Sequence, residues 1–568
     1  MSSIDWIVLI GTLLFIVLYG MWKSKGDKNI DGFLLADKTM PWYVVGISIM
    51  ATQASAITFL SAPGQAYTDG MRFVQFYFGL PIAMVILCVT FVPIFHRLNV
   101  YTAYEFLEKR FDLKTRALTA FLFLIQRGLA CGLTIYAPSI ILSSILGWNI
   151  YWTNLFMGGL VVLYTVAGGT RAVSITQMQQ MAVILVGMVA AGFMVVHLLP
   201  ENISFRESLN LAGKMGKLNV IDFSFDLKNQ YNVWSGLIGG LFLMLSYFGT
   251  DQSQVGRYLS GKSVGQSRLG LLFNGVIKIP MQFSILLIGA LLCVFYQFQQ
   301  PPLHFNNVEV DKISNSSLAP EYKILESKNE KVYREKKAVM EDLVKAIHSG
   351  DEAKSNELGS IAKQKQAEMN SLRADGIALM KKNDSKAETN DTNYIFLSFV
   401  MKYFPAGLIG LLIAVIFSAS MSSTSSELNA LASATVVDIY KRLFKKDSDA
   451  RHDLRVSKVA TVCWGIYAIM VAMFANQLGS LIEAVNKLGS LFYGTILGIF
   501  VVAFYIKHVK GAAVFYAALL AEAVVLYCFW IELTAFLWLN LLGCACVVCF
   551  ALLFSLNDKS NVSQIKNA

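Results

Sequence analysis

Thirteen apolar runs, each near or above 18 residues, divide the chain. They fall near 4–22, 42–62, 73–95, 117–146, 149–167, 176–198, 234–252, 271–297, 405–440, 457–477, 481–506, 512–531 and 533–555. A hydrocarbon core of ~30 Å takes about 20 helical residues to cross. Each run therefore predicts a spanning helix, and the chain reads as an all-α polytopic membrane protein. The runs are continuous rather than alternating, which excludes a barrel.

The polar stretches between the runs are unequal. One alternate set holds Lys23, Lys25, Lys28 and Lys38; Arg97, Lys109, Arg110, Lys114 and Arg116; Arg171; Arg257, Lys262 and Arg268; Lys441, Arg442, Lys445, Lys446, Arg451, Arg455 and Lys458; and Lys507 and Lys510. The opposite short loops, "YTDGMR", "GWNIY" and "NQLGS", hold only Arg72. Lys and Arg collect on the cytoplasmic side, so a plasma-membrane (or bacterial inner-membrane) protein is expected with its N-terminus outside and C-terminus inside. The net charge of +10 is thus an orientation signal, and nucleic acid is not expected as a partner. The first apolar run has no basic region before it and no cleavage site, so a retained helix is expected.

Two expected outside segments are long. Residues 199–233 are polar, with a glycosylation-type "NIS" at Asn202–Ser204. Residues 299–393 are a charged insertion, in which Val339, Leu343, Val344 and Ile347, and then Leu358, Ile361 and Met369, recur at helical spacing. A helical hairpin and a mobile charged loop both fit. The eight cysteines all lie in apolar segments, and Cys544, Cys546 and Cys549 have no His or acid beside them; they read as small buried hydrophobes.

Polar groups inside spans mark the places where chemistry is expected. "GISIMATQASAITFLSAPG" surrounds Gln53, Ser55 and Thr58 with small residues. That pattern fits an interrupted helix whose freed carbonyls face a cation, or close small-residue packing. Five spans later, "LSYFGTDQSQVGRYL" sets Asp251 and Gln252 just after Gly249, at a second break or a plain helix end. In "SASMSSTSSELN", residues 418–429, seven of twelve residues carry a hydroxyl. A serine can satisfy itself on the carbonyl one turn back, but four at Ser422, Ser423, Ser425 and Ser426 exceed that need, and neutral hard oxygens suit an alkali cation. Arg127 and Lys278 stand deep in spans. Arg127 suits a substrate carboxylate or an ion pair with Asp251; Lys278 could snorkel or pair with an acid.

At these residues the chain resembles the sodium:solute symporter family, through "GISIMATQASAITFLSAPGQAY", "YTAYEFLEKRFDLKTR", "LYTVAGGTRAV", "GTDQSQVGRYLSGKS" and "SSTSSELNALASATVVDIY". The resemblance implies a LeuT-type inverted repeat of five plus five helices. The corresponding segments are an N-terminal helix and loop at 1–40, a first repeat at 41–198, a loop at 199–233, the start of a second repeat at 234–298, the insertion at 299–393, the rest of that repeat at 394–506, and two helices with a tail at 507–568. It implies Na⁺ held by carbonyls of Ala51, Ala54 and Ala419 and hydroxyls of Ser422 and Ser423. A second sodium would use Ser425 and Ser426, but its aspartate position is Gln177. Family substrate positions carry over to Gln53, Ser55, Thr58, Tyr77, Arg127, Asp251, Gln252 and Lys278. Thr58, Tyr77 and Asp251 depart from the sugar-transporter pattern, while Lys278 keeps it. The resemblance implies a sodium-coupled symporter, not an enzyme, importing a small organic anion such as a monocarboxylate or sialic-acid-like solute; the alternatives are a sodium/sugar cotransporter and a transporter-like sensor. The expected partners are solute, sodium ion and bilayer, with the chain a monomer or weak dimer.

Overall fold

A computed structural model describes residues 1–23, 35, 38–98, 100–445, 449–475 and 478–556. Lys25, Lys28, Lys446 and the tail beyond 556 lie outside the described residues. The helices in chain order are α1 (Ser3–Lys23), α2 (Trp42–Gln53), α3 (Ala56–Asp69), α4 (Leu80–Val89), α5 (Phe91–Leu98), α6 (Glu105–Arg110), α7 (Leu113–Leu146), α8 (Ile150–His197), α9 (Phe205–Lys214), α10 (Gly240–Gly249), α11 (Gln252–Leu259), α12 (Val264–Phe298), α13 (Asn307–Ser314), α14 (Ala319–Ser349), α15 (Glu352–Asn383), α16 (Thr392–Tyr403), α17 (Leu408–Ala434), α18 (Ala450–Ala472), α19 (Leu481–Tyr505), α20 (Gly511–Trp530) and α21 (Phe536–Leu556). No named strand occurs among the described residues; one isolated bridge joins Met40 to Gly261.

Among the described residues nine helices are long and apolar enough to cross a membrane, and the bent pair α2–α3 makes a tenth. Three shorter apolar helices, Ser3–Ile16, Ile150–Val166 and Ser235–Gly249, fall on the first, fifth and seventh expected spans. The nine helices, the bent pair and these three fall on the thirteen expected spans, of which length and composition alone qualify nine or ten as crossings. The fifth and sixth expected spans lie in one helical stretch, α8, with no coil between them. Tyr164 and Thr176, twelve residues apart, share a hydrogen bond. A straight helix would separate them by about 18 Å, so α8 bends sharply in this stretch.

Local chemistry starts and stops these helices. Asp112 caps α7 by accepting from the Thr115 amide at 2.8 Å, and left-handed Gly147 (φ 65°) ends it. Ser263 caps α12 through the Gln266 amide. Asp5 accepts from the amides of Gly407 (2.6 Å) and Gly410 (3.1 Å), docking α1 on the start of α17.

The insertion is a helical hairpin, α14–α15, turned at left-handed Gly350 (φ 72°). Of the residues at helical spacing, Leu343, Val344 and Met369 are buried and Val339, Ile347, Leu358 and Ile361 half-buried, with Met340 and Ala362 buried beside them.

Candidate functional site

The first break lies between α2 and α3. Ala54 (φ −85°, ψ 71°) and Ser55 (φ −75°, ψ 171°) leave the helical region, and the two halves meet at 57°. A helix end leaves its last carbonyls without helical donors. The Ala54 amide serves Met50 at 2.8 Å. The freed backbone faces α17: the Ser422 hydroxyl approaches the Ala51 carbonyl oxygen at 3.5 Å, and the Ser423 hydroxyl donates to the Ala419 carbonyl at 2.9 Å. Ala51, Ala54, Ala419 and Ser423 are fully buried and Ser422 is 1% exposed. The donor set is neutral oxygen throughout, which fits an alkali cation and lacks the charge a divalent ion needs.

The expected second-ion residues are differently engaged. Ser425 and Ser426 return their hydroxyls to the Ser422 carbonyl at 3.1 and 2.9 Å, the same self-satisfied arrangement of a helix serine that Ser423 makes on Ala419. Gln177 donates from Nε2 to Ser426 Oγ (2.9 Å), Thr52 Oγ1 (3.2 Å) and the Ser422 carbonyl (3.4 Å), and accepts from Ser48. An amide N–H₂ thus meets the oxygens that would surround a second ion.

The second break follows Gly249. A Cβ there would meet Leu87 and Phe91 side chains at 2.8 Å, so this glycine allows close packing and carries no positive φ. Asp251 caps α11 with Oδ1, accepting from the Ser253 amide (2.8 Å) and hydroxyl (2.6 Å). Its Oδ2 accepts from Tyr493 (2.7 Å) and from Arg127. Arg127 also pairs with Glu427 at 3.1 Å, and Thr134 donates to the other Glu427 oxygen at 2.6 Å. Asp251 is 1% exposed, Arg127 3% and Glu427 5%. One guanidinium therefore holds two carboxylates.

A cavity of about 90 Å³ opens beside the first break. Gln53, Ser55, Thr58, Tyr77 and Arg127 line it, as expected, together with Gln126, Thr134, Glu427, Asn486 and the rings of Phe76, Tyr247 and Tyr493. Three expected substrate residues do not line it. Asp251 stands behind Arg127. Gln252 accepts from the Ala103 amide (3.1 Å) and donates to the Tyr101 carbonyl (2.9 Å), so it anchors a loop. Lys278 is buried with its ammonium 5.9 Å from the Tyr77 ring centroid and has no hydrogen-bond partner.

Sequence reasoning missed Glu427, Tyr493 and Asp438. Asp438, in the π-helical segment Thr435–Phe444 that continues α17, accepts from Thr102 (2.8 Å) and pairs with Arg116 (2.7 Å). Arg116 also pairs with Glu108 (2.7 Å), which pairs with Arg442 (2.7 Å). Burial works against the Glu108 charge, but the Arg116 and Arg442 hydrogen bonds hold its carboxyl below the usual range. The signal for these groups was in the sequence as acids inside or at the ends of apolar runs; their partners were not.

Residues 33–309 and 369–520 match the sodium:solute symporter family model, and the chain belongs to that family. It is 31% identical over 290 residues to the human sodium/iodide cotransporter, a match spanning 50% of this chain and 44% of that protein. It is 24% identical over 512 residues to the sodium-dependent multivitamin transporter of Oryctolagus cuniculus, spanning 88% and 66%, and 26% identical over 501 residues to human sodium-coupled monocarboxylate transporter 1, spanning 87% and 68%. The fold is that of a solved Na⁺-coupled sialic acid symporter, with TM-score 0.74, 22% identity and 98% coverage of both chains; this is the LeuT-type architecture.

Proposed function

We propose that the protein is a sodium-coupled secondary active symporter of a small organic solute, with one sodium held by the Ala51, Ala54 and Ala419 carbonyls and the Ser422 and Ser423 hydroxyls. The observation that carries this reading is the convergence of the broken α2–α3 span on the serine row of α17 beside a buried polar cavity. Sodium would hold the broken span against α17 in the solute-binding state. It can shift that equilibrium only through unequal affinity for the two states, and by reciprocity bound solute tightens sodium. The Gln177 amide supports a single ion. The basic loops support N-terminus outside and C-terminus inside, in the plasma membrane.

For the solute, the sequence left Arg127 open between a carboxylate anchor and an ion pair with Asp251. Its guanidinium is committed to Asp251 and Glu427, which favours a neutral hydroxylated solute. The aromatic wall offers faces for stacking, and carboxylate and amide oxygens accept from hydroxyls. A second reading, a small anion, draws on the names of the iodide, vitamin and monocarboxylate relatives and on the unpaired Lys278. Uptake into proteoliposomes under an inward Na⁺ gradient, across a panel of sugars, polyols and monocarboxylates, tests both. We expect sodium-dependent uptake of a hydroxylated neutral solute. Uptake of monocarboxylates alone would overturn the solute reading, and equal uptake without sodium would overturn the coupling.

A further inference from the structure

We infer that Glu427 is the counter-charge of the coupling sodium ion, acting through the Arg127–Asp251–Glu427 triad that joins the ion's helix to the solute cavity. This rests on the sodium reading above. The cage is made only of carbonyl and hydroxyl oxygens, and the neighbouring position that could add an acid is Gln177. A dehydrated cation in a low-dielectric interior needs a compensating charge nearby. Glu427 stands one helical turn beyond Ser423 on the same face of α17, and both are buried.

The charge around Glu427 is unbalanced. With both carboxylates ionised, Arg127 is the one cation that offsets Glu427 and Asp251, which puts the triad at a net −1. The other groups facing it, the Tyr247 and Tyr493 phenols and the Cys131 thiol, supply no positive charge, and Lys278 makes no ion pair. Independently, the Gln126 carbonyl oxygen has no hydrogen-bond partner although the residue is 1% exposed and lines the cavity, and Arg127 Nε is likewise unpartnered. The region is built to receive a ligand. A sodium ion in the cage brings the assembly to neutrality. It also links the first break, through Ser423, Glu427, Arg127 and Asp251, to the cap of the second.

Binding of ²²Na⁺ to the purified full-length protein tests this without knowing the solute. Glu427→Gln is expected to raise the sodium half-saturation roughly tenfold or more, the scale of one nearby charge in a partly buried site. The Arg127→Met/Glu427→Gln double variant returns the net charge to −1 without rebuilding the ion pair, and is expected to recover most of that loss. Asp251→Asn, which also leaves the triad neutral, is expected to weaken sodium in the same direction; it serves where Glu427→Gln fails to fold. Half-saturation within twofold of wild type in the folded single variants overturns the inference. So does a double variant as weak as Glu427→Gln, since that marks a purely structural bond. If Ser423→Ala still weakens sodium in those cases, the sodium reading stands and only the counter-charge falls. Absence of saturable ²²Na⁺ binding to wild type defeats both.

Discussion

In the proposed sodium site, Ser423 supplies a hydroxyl to the ion and Gln177 stands where a second ion would need a charge. Ser423→Ala removes a cage hydroxyl and should raise the sodium concentration for half-maximal uptake about tenfold, read from sodium titrations of transport. Gln177→Asp replaces a donor amide with the missing charge. It should move the Hill slope for sodium from about one toward two; an unchanged slope would mean that the amide is not what excludes a second ion. Outside the spans, Glu388 accepts from Tyr136 (3.2 Å) and Tyr394 (2.6 Å) at the root of the hairpin. Burial pushes its carboxyl up to about 7, opposed by the two tyrosine hydrogen bonds and reinforced by Glu309 and Asp391. A raised carboxyl favours the folded state while protonated. Its contribution is therefore present below the ordinary carboxylate range and is lost as pH rises through about 7. The melting temperature should fall between pH 5 and 8, and Glu388→Gln should remove that component. At this scale the serine row was legible because four hydroxyls in an apolar run exceed what helix packing needs, although Ser423, Ser425 and Ser426 each donate to a carbonyl one turn back. Glu427 was not, because its partner Arg127 lies 300 residues away and only folding brings them together.

Helix breaks and close crossings carry the next level. Both breaks were legible: small and polar residues interrupt an apolar run at Ala54–Ser55, and an acid follows a glycine at Asp251. The role of Gln252 was not, since adjacency to Asp251 suggested the cavity while its amide turns to the 101–103 backbone. The bend within α8 was expected as a loop, and the helical hydrogen bonding instead continues through it. Close crossings explain glycines that periodicity cannot. A Cβ on Gly64 would lie 1.9 Å from the Thr392 carbonyl oxygen, and one on Gly289 would lie 2.1 Å from that of Pro63. These contacts seat α3, the second half of the broken span, against α16 and α12. Backbone cannot yield as a flexible side chain can. Gly64→Ala and Gly289→Ala should each cost about 1–3 kcal/mol or more, read as a lower melting temperature of the purified protein. An unchanged melting temperature would show that α3 is not packed as described.

On the scale of the molecule, the LeuT-type fold places the cavity against the first break and, through Arg127, next to the Asp251 cap of the second, and the hairpin stands beyond the ends of the spans. The inverted-repeat fold was legible through family resemblance rather than through periodicity alone. The basic loops argue that the hairpin is outside. A cysteine introduced at Ser349, at its tip, should react with a membrane-impermeant maleimide in intact cells, and protection until the cells are lysed would reverse the topology. The account depends most on sodium resting where the broken α2–α3 span meets Ser422 and Ser423. The most direct measurement is concentrative solute uptake by the reconstituted protein under an inward sodium gradient, compared with choline and with the Ser422→Ala/Ser423→Ala variant at equal protein density. The account predicts accumulation by the wild type in sodium, none in choline, and none by the variant at sodium levels that saturate the wild type. Accumulation by the variant with an unchanged sodium requirement would contradict it.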